Sequence, residues 1–215
     1  MSTEINPVQS LLEISLSFAR SKKAQNGLID DLERGVDSPS LVALRTSING
    51  LTLGDLGLAN SLEGCFQPNT ISLINLYPHK SLWVGIFCMT QGTRFPLHDH
   101  PDMIGMTRLF QGRLAYRCMD ILSCSAGISE AKVQSAGEAQ DSALLWLTPN
   151  RGNIHEIEAL QDSVLLDLFL PNYSASRVCT YFQDIQVQGD RVTLRRLAQP
   201  DIPCQELPYT GLPVN

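Results

Sequence analysis

The sequence lacks most of the features that would assign it a class at once. It has no basic excess: sixteen Lys and Arg stand against twenty-two Asp and Glu, a net charge of −6. That leaves no electrostatic footprint for nucleic acid or an anionic membrane surface. No apolar run approaches the roughly eighteen residues that a membrane-spanning helix needs. The opening stretch MSTEINPVQSLLEISLSFARSKK has no basic segment ahead of its apolar residues. This argues against a secretory signal and for a cytoplasmic location, with the nucleus as a further compartment. Six cysteines are scattered without a single CxxC pair, which reads as reduced thiols in a cytosolic protein rather than a disulfide framework. No internal repeat of useful length is present. What remains is an ordinary globular composition, 215 residues with 43% hydrophobic and 18% charged. It is long enough for one domain with a sizeable core, expected as a monomer.

The character of the chain changes near residue 65. From Pro7 to Lys23, Val8, Leu11, Leu12, Ser15, Leu16 and Ala19 recur at helical spacing, predicting an amphipathic helix closed by Lys22 and Lys23. A second helix is expected with Ser38 as N-cap and Pro39 at its first position, ending at Asn49 and Gly50. Thr52 and Asp55 suggest a short third one. After Gly64 the pattern is that of strands: ISLINLYP, LWVGIFCMT, MIGMTRLF, RLAYRCMD, ALLWLT, IHEIEA, SVLLDLFL and RVTLRRL, separated by turn residues. Seven or eight short strands at these intervals predict a mainly β, jelly-roll barrel rather than βαβ units. The expected organisation is a single domain over 1–215: a helical preface to residue 64, a barrel over 65–200 and a C-terminal tail over 201–215. Residues 123–142, small and polar, read as a mobile insertion.

Chemistry concentrates in FPLHDHPDM, residues 95–103. Residues two apart on a strand face the same way, so His98 and His100 present both imidazoles together. A third ligand must come from elsewhere, and only His79 and His155 remain. His155 opens a strand after the turn TPNRGNIH, whose Pro149, Gly152 and Asn153 aim the next residue. His79 lies at a polar strand end and reads as a solvated residue. Three neutral imidazoles leave a bound ion its full charge and, in an octahedral ion, three open positions. That suits Fe(II) taking a substrate and dioxygen together. Zinc with three histidines and one water is the competing assignment.

The spacing Gly92-x5-His98-x-His100, then Gly112, with PNRGNIH later, resembles the two motifs of the cupin double-stranded β-helix. Cupins often place a glutamate four or five residues after the second histidine, where this chain has Ile104 and Gly105. The resemblance to the cysteamine dioxygenase and plant cysteine oxidase family is closer. Its members carry PLHDHP, a Met-containing strand, GNIH, and an Asp-x-x-x-Pro-x-Tyr segment leading to Cys-x-Tyr. This chain reads FPLHDHPDMIGMTRLFQG, RGNIHEI and DLFLPNYSASRVCTYF, a match running from about residue 71 to 182. MIGMTRLFQGRLAYRCMD is more like the cysteamine dioxygenase branch. Asp102 stands where the family usually has glycine, and Phe182 in place of a second tyrosine.

The resemblance implies Fe(II) held by His98, His100 and His155. It also implies a thiol dioxygenase that adds both atoms of O2 to the sulfur of an aminothiol or an N-terminal cysteine, giving a sulfinic acid and a link to oxygen sensing. Asp167, in so apolar a strand, needs a buried partner; it is expected either to make a structural hydrogen bond or, with Tyr173, to line the substrate pocket. Asp99 points away from the two histidines and is expected as a supporting hydrogen-bonder. Cys179 and Tyr181, two apart, form either an ordinary packed pair or a thioether of the kind some thiol dioxygenases carry. A zinc or nickel cupin of isomerase or hydrolase type and a non-catalytic cupin binding protein remain the alternatives.

Overall fold

The computed structural model describes residues 6–59 and 62–214. Its N-terminal part is three helices, α1 (Pro7–Ala19), α2 (Lys22–Arg34) and α3 (Pro39–Gly50). Each starts where a side-chain oxygen can satisfy otherwise unpaired amides. Asn6 accepts from Val8 and Gln9, Ser21 from Ala24, and Ser38 from Leu41. Lys22 and Lys23 therefore open α2 rather than close α1. That helix escapes the periodicity argument because only Leu28 and Leu32 of KKAQNGLIDDLER are buried. Thr52 and Asp55 do make the reciprocal bonds of a capping box, but they close only a turn over residues 53–57.

Twelve strands follow among the described residues, in two sheets. The first is built from β1 (Ile71–His79), β2 (Leu82–Met89), β4 (Ile104–Gln111), β7 (Leu144–Leu147), β9 (Ser163–Leu170) and β12 (Cys204–Leu207), in the order β12-β1-β2-β9-β4-β7. The second contains β3 (Arg94–His98), β5 (Arg113–Ser125), β6 (Ile128–Gln140), β8 (Ile154–Ala159), β10 (Tyr181–Gln188) and β11 (Arg191–Leu197). It closes into a ring in the order β10-β11-β6-β5-β8-β3, with β3 returning to β10. This is the cupin-type double-stranded β-helix with an N-terminal helical region.

Two expectations are corrected. Residues 123–142 are not a mobile insertion: they lie mostly in the β5–β6 hairpin, turned at Ala126 and Gly127. Both residues have positive φ, 50° and 79°, as a two-residue hairpin turn requires. Their polar composition follows from exposure, since the end of β5 extends past the core. Residues 201–215 are not a simple tail either, because β12 pairs in parallel with β1 at the sheet edge.

The helices cover one face of the first sheet. Leu11, Leu12, Leu28, Leu41, Leu44 and Ile48 form a single core with Val84, Ile86, Val164, Leu166 and Leu168. With a second core including Leu109, Leu114, Ile157 and Leu165 on its other side, β9 is buried at every position, which explains its unbroken apolar reading. Two polar ties fix the helices to the barrel. The buried Arg108 of β4 donates to the carbonyls of Ile48 and Leu51 at the end of α3, and its guanidinium lies 4.3 Å from the Phe110 ring centre. Glu33 of α2 accepts from Thr148 and Asn150, and its carbonyl accepts from Arg151. This second tie holds the loop leading to His155.

Candidate metal centre

Strand register assembles the first part of the site. His98 pairs directly with His155 on one side and with Tyr181 on the other, and directly paired residues share a face of the sheet. His98 is the last residue of β3, and His100 stands just beyond it. Asp99, between them, turns outward: its amide donates to the Thr180 carbonyl at 3.0 Å and its carboxylate accepts from the Thr180 amide at 2.6 Å, the supporting role expected of it. Asn153 fixes His100. Its side-chain oxygen accepts from the His100 amide at 3.1 Å, while its Nδ2 donates to the His100 carbonyl at 2.8 Å and to the Thr148 carbonyl at 3.1 Å. The turn before it depends on Gly152, whose φ is +67° and whose amide donates to Asp120.

Three imidazoles converge as a result. Their ring centres lie 4.6 to 4.9 Å apart, and one ligand nitrogen from each falls within 4.8 Å of the others. The Nε2 atoms of His100 and His155 are 3.0 Å apart. Two nitrogens each about 2.1 Å from a common ion, at right angles, would stand about 3.0 Å from one another. His98 Nδ1 lies 2.8 Å from the Pro96 carbonyl, which can only accept, so the proton is on Nδ1 and the Nε2 lone pair is free. His100 Nδ1 meets the Tyr173 hydroxyl at 2.6 Å, an outer hydrogen bond of the kind that orients metal-bound histidines. Burial pushes His98 down to about 4, and burial with the neighbouring rings drives His100 and His155 well below the ordinary histidine range. All three are neutral, the form a metal requires, and the donor set fits a divalent ion bound by nitrogen.

The triad lies in a cavity of about 600 Å³ whose only acidic lining residue among the described residues is Asp167. Asp167 is opposite Thr107 of β4 and Gly85 of β2. Burial raises its carboxyl to about 7, against a smaller opposing effect of a hydrogen bond from Thr107. Its Oδ1 has no partner, an anomaly for a buried polar atom. Two residues along the same face, Phe169 stacks on His100 with ring centres 4.4 Å apart, and Trp83 stacks on Phe169. Trp83 also lies over Gly85, where an added Cβ would sit 2.3 Å from the indole. Tyr173 lines the cavity as expected, and burial pushes its hydroxyl far above the ordinary tyrosine range.

Cys179 and Tyr181 also line the cavity. Cys179 lies in the irregular segment before β10 rather than on the strand. The thiol and the hydroxyl interact, and burial raises them to about 11 and about 12. His79 is exposed at the end of β1, and its Nδ1 accepts from the Ser81 amide. It lies outside the cluster. Sequence reasoning missed Asn153 as the clamp on His100, although it had noted the residue as part of the turn. It also missed Phe169 and Trp83, although the period of two from Asp167 points to Phe169.

Asp102, where the resemblance expects glycine, has φ of 56°. The left-handed conformation explains the glycine preference, and aspartate is among the few other residues that adopt it readily.

The chain is similar to several known proteins. The chain is 28% identical over 179 residues to 2-aminoethanethiol dioxygenase of Mus musculus, covering 66% of this chain and 70% of that protein. With the Homo sapiens 2-aminoethanethiol dioxygenase it shares 25% identity over 210 residues, 80% and 77% of the two chains. Plant cysteine oxidase 1 of Arabidopsis thaliana is 26% identical over an alignment of 156 residues, covering 65% of this chain and 53% of the plant protein. Among solved structures, a cupin superfamily protein from Desulfitobacterium hafniense aligns with a TM-score of 0.42 at 12% identity, covering 57% of this chain and 93% of that one. The PCO_ADO family model matches residues 48–211, three quarters of the chain. The chain belongs to the PCO_ADO family, the thiol dioxygenases that include the 2-aminoethanethiol dioxygenases and the plant cysteine oxidases.

Proposed function

We propose that the protein holds Fe(II) on His98, His100 and His155 and oxidises the thiol of a small aminothiol or of an N-terminal cysteine to a sulfinic acid. The observation that carries this reading is the convergence of three neutral, buried imidazoles in a cavity with a single carboxyl. Fe(II) in the triad would supply the redox chemistry by which dioxygen adds to a thiolate sulfur. The overall change balances without a further reductant: a thiolate and O2 give a sulfinate, with both oxygen atoms on sulfur. Output then depends on oxygen supply, as an oxygen sensor requires.

The chain's own residues bind and orient. The unpartnered Oδ1 of Asp167 supports its receiving an ammonium group, which would draw its carboxyl back to the ionised form. Tyr173 holds the His100 ring and closes the pocket beside it. Trp83, Phe87, Phe95 and Phe169 make much of the remaining wall apolar, which limits water around the sulfur and strengthens the attraction between an ammonium and the Asp167 carboxylate once the two are paired. The interaction of the Cys179 thiol with the Tyr181 hydroxyl in the cavity wall supports a thioether, sulfur to ring carbon, the two hydrogens passing to dioxygen as hydrogen peroxide. Intact mass lower by two hydrogens after turnover supports that cross-link, and an unchanged mass refutes it.

The test compares cysteamine and a peptide beginning with cysteine against their N-acetyl forms, following the addition of two oxygens by mass spectrometry. Acetylation removes the charge that Asp167 receives, so the free-amine substrates should be oxidised and the acetylated ones not. Comparable oxidation of the acetylated forms contradicts the recognition by Asp167.

A further inference from the structure

We propose that the substrate of this chain is the N-terminal cysteine of a polypeptide whose following residues are acidic, held in a basic groove beside the metal cavity. This rests on the thiol-dioxygenase reading for where the cysteine end lies. A second cavity of about 510 Å³ shares Ser174 and Arg177 with the first. These two residues bracket a tight turn, each amide donating to the other's carbonyl, so the turn is the common rim of both spaces.

The groove gathers Lys22, Lys80 and Arg177 against the single carboxylate of Asp102. In a chain of net charge −6, this is a local reversal of sign. None of the three cations joins an ion pair among the described residues. Among the described residues Arg177 uses only its Nε internally, donating to the Asn172 carbonyl at 3.1 Å. Lys22 sits in the first turn of α2, which contains no acidic residue. A cation there is repelled by the positive end of the helix dipole, so the placement works against local stability. An anion lying in the groove would meet the helix dipole and the three cations together.

A free aminothiol fits within the metal cavity and never reaches this surface. A peptide anchored by its cysteine must leave the cavity, and the turn over Ser174 and Arg177 leads directly into the groove. Val178, 66% exposed and lining the metal cavity, gives the departing chain an apolar contact at that point. Specificity of this kind acts through charge complementarity along an extended segment.

The test measures anaerobic binding, so that it does not depend on turnover. Heptapeptides Cys-Gly-Glu-Glu-Glu-Ala-Gly and Cys-Gly-Lys-Lys-Lys-Ala-Gly, labelled at the C-terminus, are titrated into the full-length protein and into its K22E/K80E variant. The acidic peptide should bind about tenfold more tightly than the basic one at low salt, and the preference should shrink at high salt. In K22E/K80E the preference should disappear or invert, and the milder K22A/K80A should weaken it. Equal binding of the two peptides by the native protein overturns the proposal, as does a preference that survives charge reversal. Cysteamine turnover reports separately on the activity: a protein that oxidises cysteamine yet shows no charge preference loses the groove alone. One that prefers the acidic peptide but oxidises no thiol keeps the groove and loses the enzymatic reading.

Discussion

The two faces of strand β9 show two different ways of filling an interior. Val164, Leu166, Leu168 and Leu170 turn to the helices and join a core made of many similar aliphatic residues. On the other face, Leu165, Asp167 and Phe169 turn inward, toward a second core and the metal cavity. The helical side is redundant, because each leucine contributes area and volume that several neighbours also supply. The cavity side is singular. It buries an unpartnered carboxyl oxygen and three imidazoles that fold at the expense of their own solvation. Residues that lower stability where they stand are the expected mark of a site kept for chemistry.

The largest effects should come from the singular side. His98→Ala, His100→Ala and His155→Ala should each abolish iron retention and turnover while leaving the fold intact, and His79→Ala should leave both unchanged. Metal analysis and thiol oxidation on the purified variants check this; turnover in any of the first three would break the ligand set. One step out, Asn153→Ala and Tyr173→Phe should lower iron affinity or activity by about 10- to 100-fold. Asn153→Asp, which keeps an acceptor for the His100 amide but loses both donations from Nδ2, should bind iron more weakly than the native protein, and native affinity in it would break the assignment of positioning to that side-chain amide.

Sequence alone revealed the parts of this arrangement that depend on period and spacing. The spacing of two marked His98 and His100, although β3 ends at His98 and His100 reaches the site from just beyond the strand; the glycine turn before it marked His155, and Ser38 and Pro39 marked α3. What depends on the third dimension was hidden. The two-sided burial of β9 looks the same in sequence as a buried helix segment. Helix α2 shows too few apolar residues to register, and β12 is short and half exposed at an edge. Asn153 acts on the backbone of a residue 53 positions away, which no local pattern encodes. The β5–β6 hairpin resembles an insertion in sequence because its exposed strands carry small and polar residues, and because alanine at the first turn position, with φ of 50°, stands where Asn or Asp would signal such a turn.

Leu166→Ala, on the redundant face, should destabilise by about 2–5 kcal/mol, with activity per folded molecule unchanged in the cold; denaturant titration and assays of the same sample separate the two. The neighbouring Asp167→Asn should do the reverse. With its carboxyl raised to about 7, folded Asp167 keeps a proton that the unfolded chain loses near 4. The native protein therefore loses stability relative to the variant as pH rises from about 4 to about 7, and the gap is constant above. Three units at about 1.4 kcal/mol each bound the difference at about 4 kcal/mol. Equal pH profiles for metal-free native and variant protein would show that Asp167 is not desolvated as described. The smallest effect is Asp102→Gly, which relieves a left-handed backbone and should change stability by about 1 kcal/mol or less, measured by thermal melting.

The central claim is that this triad holds iron and that the bound iron lets a thiol consume dioxygen. The most direct measurement is metal analysis of the purified protein followed by oxidation of cysteamine or a cysteine-initiated peptide under 18O2. We expect iron in equimolar amount with the chain, oxygen uptake only when thiol is present, and both labelled atoms in the sulfinic acid product. Tightly bound zinc with no thiol-dependent oxygen uptake after iron reconstitution, or a product carrying only one labelled atom, would contradict the account.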